Sequence, residues 1–275
     1  MREPAAHAAP PHTRIRHHIV VMSGKGGVGK STVAVHLAAA LHKAGWRTGL
    51  LDVDIHGPSI PTMLGLERAG VTRVHDVLQP VAAHGLKVMS TGFMVRDMDQ
   101  AVIWRGPLKM KLIREFLANV AWGALDVLVI DVPPGTGDEP LSVCQVLGAV
   151  SGALLVTTPQ KVAAADVRKS ITFCRALNVP ILGVVENMSG FVCPACGTHS
   201  VLFPAGAAEA MARELQVPFL GAIPFEPRIA QQCDNGTTGV GADDTSAVTA
   251  TWRTIVQSVL ALDGPVPASL KPKEY

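Results

Sequence analysis

The segment Gly24-Lys25-Gly26-Gly27-Val28-Gly29-Lys30-Ser31 fits the pattern G-x-x-x-x-G-K-[ST], and it constrains the fold more than any other stretch of the chain. Its glycines let the backbone curl until the N–H groups face a common point. A helix beginning at Lys30 would direct the positive end of its dipole at that point. Such a loop needs a buried strand before it and a helix after it. The apolar run 18–22 and the helical stretch 30–43 meet both requirements. The expectation is a phosphate cradle running from Gly24 through Lys25, Gly26, Gly27, Val28, Gly29, Lys30 and Ser31 to Thr32. Lys30 would bridge the terminal phosphates and Ser31 would hold Mg²⁺.

The rest of the chain repeats that alternation. Short runs rich in Val, Ile and Leu fall at 18–22, 48–53, 86–90, 127–131, 153–157, 181–186 and 219–223. They are nearly continuous rather than alternating, as strands buried on both faces of a parallel sheet are. Helical stretches lie between or after them, at 30–43, 108–122, 140–147, 163–177, 206–215 and 245–262. The reading is an α/β fold with a doubly wound, mostly parallel sheet flanked by helices. It forms one domain over 18–263, with a disordered tail at 1–17 and a flexible tail at 264–275. The segment 188–204 breaks the pattern and reads as an inserted loop. It carries Cys193-Pro194-Ala195-Cys196-Gly197.

Nucleotide chemistry needs oxygen ligands near the terminal phosphate. Asp52-Val53-Asp54 closes the second apolar run, and alternate strand residues share a face. Asp54 is expected to orient the attacking water and to lie near Mg²⁺, with Asp52 beside it. Leu128-Val129-Ile130-Asp131 is a strand ending in an acid, and Asp131 is expected to bind Mg²⁺ directly or through water. The following Val132-Pro133-Pro134-Gly135-Thr136-Gly137-Asp138 combines stiff prolines with glycine hinges, which suits a segment that senses the γ-phosphate.

Lys25 is not required by the general phosphate-loop pattern. With it, the loop resembles the deviant Walker A loop of the SIMIBI-type P-loop NTPases that include MinD, ParA and nitrogenase iron protein. In that family the extra lysine reaches the partner's ATP, so the resemblance implies a catalytic role for Lys25 beside Lys30 and Asp54, and a homodimer. Further motifs narrow the likeness. They are Asp52 to Ser59, Arg105-Gly106-Pro107, Asp131 to Asp138, Thr158-Pro159-Gln160, Val185-Glu186-Asn187-Met188 and the Cys193/Cys196 pair. In combination they resemble the Mrp/ApbC iron–sulfur cluster carriers over residues 18–229. The resemblance implies ATP as the nucleotide, slow hydrolysis, Asn187 reading the adenine, and Pro224 and Phe225 packing beside the base. Two departures stand out. Ala195 occupies a position that is often His in the family, and the extra N-terminal domain of some members is not found here.

Two thiolates at Cys193 and Cys196 supply half of a tetrathiolate site. A two-fold dimer would supply the other half. With the resemblance, this implies one 4Fe–4S cluster bridging two subunits, received from a scaffold and passed to apo iron–sulfur proteins. Zinc on the same thiolates, or on two of them with His199, is a competing occupant. Cys144 and Cys174 lie in apolar helical stretches and read as core, and Cys233 has no assigned role.

Charge separates the rival functions. Lys and Arg total 24 against 22 acids, spread along the chain, so no basic patch marks a nucleic-acid partner. No run of about 18 apolar residues suggests a membrane span, and the five cysteines lack a disulfide framework. A cytoplasmic protein with no nucleic-acid or membrane partner is expected. The alternative is a MinD/ParA-like positioning ATPase whose cysteines hold structural zinc.

Overall fold

The computed structural model describes residues 13–55, 57–94, 106–193, 196, 198–203, 206–238 and 247–263. Residues 1–12 of the tail expected at 1–17, the expected tail at 264–275, His56 and Arg105 lie outside them.

A nine-stranded sheet forms the centre of the described residues. Seven of its strands are parallel: β1 (Arg14–Ser23), β2 (Thr48–Asp52), β6 (Leu86–Ser90), β7 (Ala124–Asp131), β8 (Gly152–Thr157), β9 (Ile181–Val192) and β11 (Phe219–Phe225). They run in the order β6-β2-β7-β1-β8-β9-β11. Short antiparallel strands border them, β5 (Val81–Ala83) on β6 and β10 (His199–Ser200) on β9. A separate hairpin pairs β3 (Thr72–Val74) with β4 (Val77–Gln79).

The chain leaves β1 toward β2 in one direction across the sheet, and passes from β8 to β9 in the other. Right-handed crossovers therefore put the connecting helices on opposite faces. One face carries α1 (Lys30–Lys43) against α8 (Ala247–Leu260). The other carries α3 (Gly106–Ala118), α4 (Asp138–Leu147), α5 (Lys161–Ala176) and α6 (Ala207–Glu214), with α3 touching α4 and α5 touching α6. Every residue of α1 from Val33 to Leu41 is buried, as expected of a helix enclosed between sheet and helix. The last five residues of β1 are buried as well, so the loop that follows starts from fixed ground.

Three sequence expectations change. β1 begins at Arg14, within the segment read as tail, because Arg14 to His17 continue the ladder with β7. Their outward arginines hid the strand. His17 stacks on Trp46 with ring centroids 5.6 Å apart and bonds Asp263 at 2.7 Å, which ties the first strand to the end of the last helix. The inserted loop is partly strand: β9 runs on to Val192 and returns as β10. Finally α2 (Ile60–Met63) and α7 (Pro227–Asp234) add helices where none was expected. The first is a single turn, and the second opens on a proline at its first position, which is compatible with a helix start.

Candidate nucleotide site and thiol pair

The carboxyl ends of the parallel strands converge on one edge, and the sequence-predicted residues meet there. The loop from Gly24 leaves β1 and enters α1 at Lys30. Gly27 and Gly29 have φ of 78° and 80°, in the left-handed region that glycine enters without steric cost. Gly29 precedes α1 with no side-chain cap, so the first-turn N–H groups face outward in the way that suits an anion. A Cβ on Gly26 or Gly27 would meet nothing within 4 Å, whereas one on Gly24 would stand 2.4 Å from the Asp166 carbonyl carbon. The loop is thus open on its concave side and pressed against α5 at its start.

Below the loop lies a buried charge cluster. The register of β2 and β7 sets Asp52 opposite Asp131. Lys30 Nζ sits 2.6 Å from Asp131 Oδ1 and 3.5 Å from Asp54 Oδ2, and it also reaches Ser31 Oγ at 3.5 Å. Burial alone would lower the Lys30 pKa, but Asp131 and Asp54 outweigh it and hold the ammonium above its usual value. Burial raises the pKa of Asp131, and Lys30 and Ser31 offset that only in part. Asp52 is fully buried, and burial, with repulsion from Asp131, pushes its carboxyl up to about 8. Ser90 Oγ donates to Asp52 Oδ2 at 2.9 Å and the Asp54 N–H donates to Oδ1 at 3.0 Å. Asp52 therefore serves as a structural acceptor inside the sheet. Asp54 lies beyond the end of β2, in the loop and not on one strand face with Asp52 as expected.

Asp131 Oδ2 is buried and has no hydrogen-bond partner. An orphaned carboxylate oxygen on an acid that neighbours Ser31 is a fitting donor set for Mg²⁺. Ser31 and Asp131 would hold the ion, with Asp54 near it, and the ion would supply charge neutralisation for the β- and γ-phosphates. The segment after Asp131 is anchored to the end of β1, where the loop begins, since the Gly135 N–H donates to Ser23 O at 2.7 Å.

The remaining expected residues fall on two neighbouring features. Lys25 Nζ lies 3.5 Å from Gln160 Oε1 of its own chain. Asn187 Nδ2 donates to Val28 O at 2.9 Å, so this amide braces the phosphate loop. Sequence reasoning missed that contact, because nothing local links residues 159 positions apart. Pro224 is buried. Phe225 is 42% exposed and its ring lies 6.5 Å from that of Phe191.

Cys193 and Cys196 stand at the turn that follows β9. The Cys193 N–H donates to Thr198 O at 3.0 Å, and Cys196 Sγ is hydrogen-bonded to Thr198 Oγ1 at 3.2 Å. Hydrogen bonds from Thr198, with a further one from Cys193, lower the pKa of the exposed Cys196 thiol. The other three cysteines are buried; burial lifts Cys144 to about 11 and Cys174 to about 12. No group of three or more His, Cys, Asp or Glu side chains that could hold a metal ion occurs among the described residues. No helix among them is long and apolar enough to cross a membrane.

Comparison with known proteins agrees with this geometry. Residues 14–260 match the family model described as ParA, the NUBPL iron-transfer P-loop NTPase. The chain is 50% identical to an iron-sulfur cluster carrier protein of Methanocaldococcus jannaschii, over 82% of this chain and 78% of that protein. It is 49% identical to a cytosolic Fe-S cluster assembly factor NUBP2 homolog of Nematostella vectensis, over 81% of this chain and 84% of the relative. The nucleotide-binding protein of Archaeoglobus fulgidus, solved in complex with ADP, superposes with a TM-score of 0.72 at 44% identity, covering 82% of this chain and 88% of that one. A phosphate loop over a buried Lys–Asp pair, an α/β sheet in this order and a match over nearly the whole described chain have one conclusion: the protein belongs to the ParA/NUBPL iron-transfer P-loop NTPase family.

Proposed function

We propose that this chain binds ATP with Mg²⁺, hydrolyses it slowly, and carries a 4Fe–4S cluster that it hands to apo iron–sulfur proteins. The loop from Gly24 to Thr32 takes the phosphates. Lys30 leaves its carboxylates to bridge the terminal pair, Ser31 and Asp131 serve the metal, and Asp54 orients the water. Asn187, Pro224 and Phe225 border the base. Lys25 serves a second chain across a two-fold axis, which makes the working form a homodimer. The names of the relatives support the carrier role, and the cytosolic relative supports a cytoplasmic setting.

The observation that carries the cluster reading is the thiol pair. Two sulfurs share one exposed turn while the other three are buried. Such a pair is half of a tetrathiolate site, and a two-fold axis completes it. A cluster held at a subunit boundary is exposed and shared, which suits delivery over storage.

Cluster transfer tests the reading. The chain is loaded anaerobically with iron and sulfide, freed of excess, and mixed with an apo 4Fe–4S acceptor in the presence of an iron chelator. The expected result is acceptor activation at a rate the chelator does not change. Activation abolished by the chelator would mean that iron is released to solution, and would contradict a carrier.

A further inference from the structure

Strand β9 touches the phosphate loop and, six residues later, delivers the first thiol. Asn187 Nδ2 donates to Val28 O at 2.9 Å. On the next residue of the loop, a Cβ at Gly29 would stand 2.1 Å from Asn187 Nδ2 and 3.6 Å from Met188 Cε. The amide of Asn187 bonds the loop at Val28, and the tip of Met188 lies beside it, bordering the space into which a side chain at Gly29 would project. Met188 has φ of 58° and Gly190 has φ of 75°. The left-handed region is strained for a residue with a long side chain.

These two residues form an elbow in the strand. Pairing with β8 ends at Glu186. Pairing with β11 is regular from Gly221 to Ile223, slips, and resumes with Phe225 opposite Phe191. Beyond the elbow Val192 pairs with His199 and the Cys193 N–H bonds Thr198 O. The direction in which the thiols are presented is thus set at Met188 to Gly190.

A strained residue persists only where its surroundings hold it, and here the phosphate loop is one of those surroundings. From this contact we infer that Met188 is a positioning residue that couples the two sites. Its side chain, beside Gly29, holds the elbow at the angle that sets Cys193 and Cys196, and a nucleotide in the loop shifts that angle. Val28 O and Gly29 belong to the cradle itself, so a rearrangement of the loop around phosphates reaches Asn187 directly and Met188 as the next residue of the strand. The inference rests on the proposal that this loop takes a nucleotide.

Hydrogen–deuterium exchange on the full reduced chain tests it, with and without a saturating non-hydrolysable ATP analogue. Binding is measured on the same samples by competition with a fluorescent nucleotide. In the unsubstituted chain, the analogue is expected to change exchange about fivefold or more in peptides spanning residues 189–200. Met188→Gly removes both the contact and the strain. It is expected to bind the analogue within about fivefold of the unsubstituted chain, the size of the coupling removed, and to lose that response. Met188→Leu keeps the apolar bulk and is expected to retain most of it. A full response in Met188→Gly overturns the inference, and so does an unsubstituted chain that binds the analogue without any change at 189–200. A chain that binds no analogue overturns the nucleotide reading itself, and the coupling with it.

Discussion

Lys30 and Asp131, 101 positions apart, form a buried ion pair of 2.6 Å beneath the phosphate loop. The second oxygen of Asp131 has no partner. One acid thus performs two tasks: it holds the lysine in place and presents a free acceptor toward the loop. Repulsion between Asp54 and Asp131 makes the arrangement dependent on Lys30.

Removing Lys30 should therefore cost stability as well as nucleotide binding. Lys30→Ala strands Asp131 as an unpaired buried acid, a loss of about 3 kcal/mol. Adding Asp131→Asn in the same chain should recover most of it. Urea denaturation of the three proteins at neutral pH checks this; no recovery in the double variant would contradict the pairing.

Asp52 makes stability depend on pH in an unusual direction. Its carboxyl is pushed up to about 8 by burial and by Asp131, against an ordinary value near 3.8. Between those values the folded chain holds a proton that the unfolded chain has released. Stability contributed by this group is therefore complete at low pH and is lost as pH rises toward 8, with a slope of at most about 1.4 kcal/mol per pH unit. Asp52→Asn should flatten the slope between pH 5 and 8. Denaturation midpoints across that window, compared for the two proteins, are the measurement.

The glycines of the loop should divide by what surrounds them. A methyl at Gly24 would strike the backbone of α5 at Asp166, while one at Gly26 meets nothing. Gly24→Ala should lower stability by about 1–3 kcal/mol and displace the loop. Gly26→Ala should leave stability within about 0.5 kcal/mol and weaken nucleotide binding, because the methyl enters the cradle. Thermal melts with nucleotide titrations separate the two outcomes.

The five thiols should fall into two reactivity classes. Cys193 and Cys196 share the exposed turn, and hydrogen bonding from Thr198 favours the Cys196 thiolate. Cys144, Cys174 and Cys233 are buried with raised pKa values. Brief alkylation at pH 7, read by mass spectrometry, should label only the first two. Thr198→Val should slow labelling of Cys196 by a factor of about two to ten.

How much of this was legible in the sequence follows from burial. Strands β1, β7 and β8 are enclosed on both faces, so they appear as unbroken runs such as Ile19 to Met22 and Val127 to Asp131. That the loop, Lys30, Ser31 and Asp131 meet at one edge was legible because the phosphate-loop pattern fixes residue types and spacing and Asp131 ends a buried apolar run. The hairpin of β3 and β4 was not, since Thr72, Arg73 and Val74 are all exposed and leave no periodic trace. Strand β9 was lost at Met188 to Gly190, where glycine and a left-handed methionine imitate a loop. Asp52 was expected only to stand beside Asp54 on one strand face, and the register with Ser90 and Asp131 reveals it as a structural acceptor.

The central claim is a cluster shared between two chains, and the metal content of the reconstituted protein tests it most directly. The protein is purified anaerobically and reconstituted with iron and sulfide, beside the Cys193→Ala/Cys196→Ala variant. Iron, sulfide, zinc and the visible spectrum are then measured. The account predicts about two irons and two sulfides per chain, with a broad visible band that the double variant lacks. Unchanged iron in the double variant, or about half a zinc per chain with no iron, would contradict it.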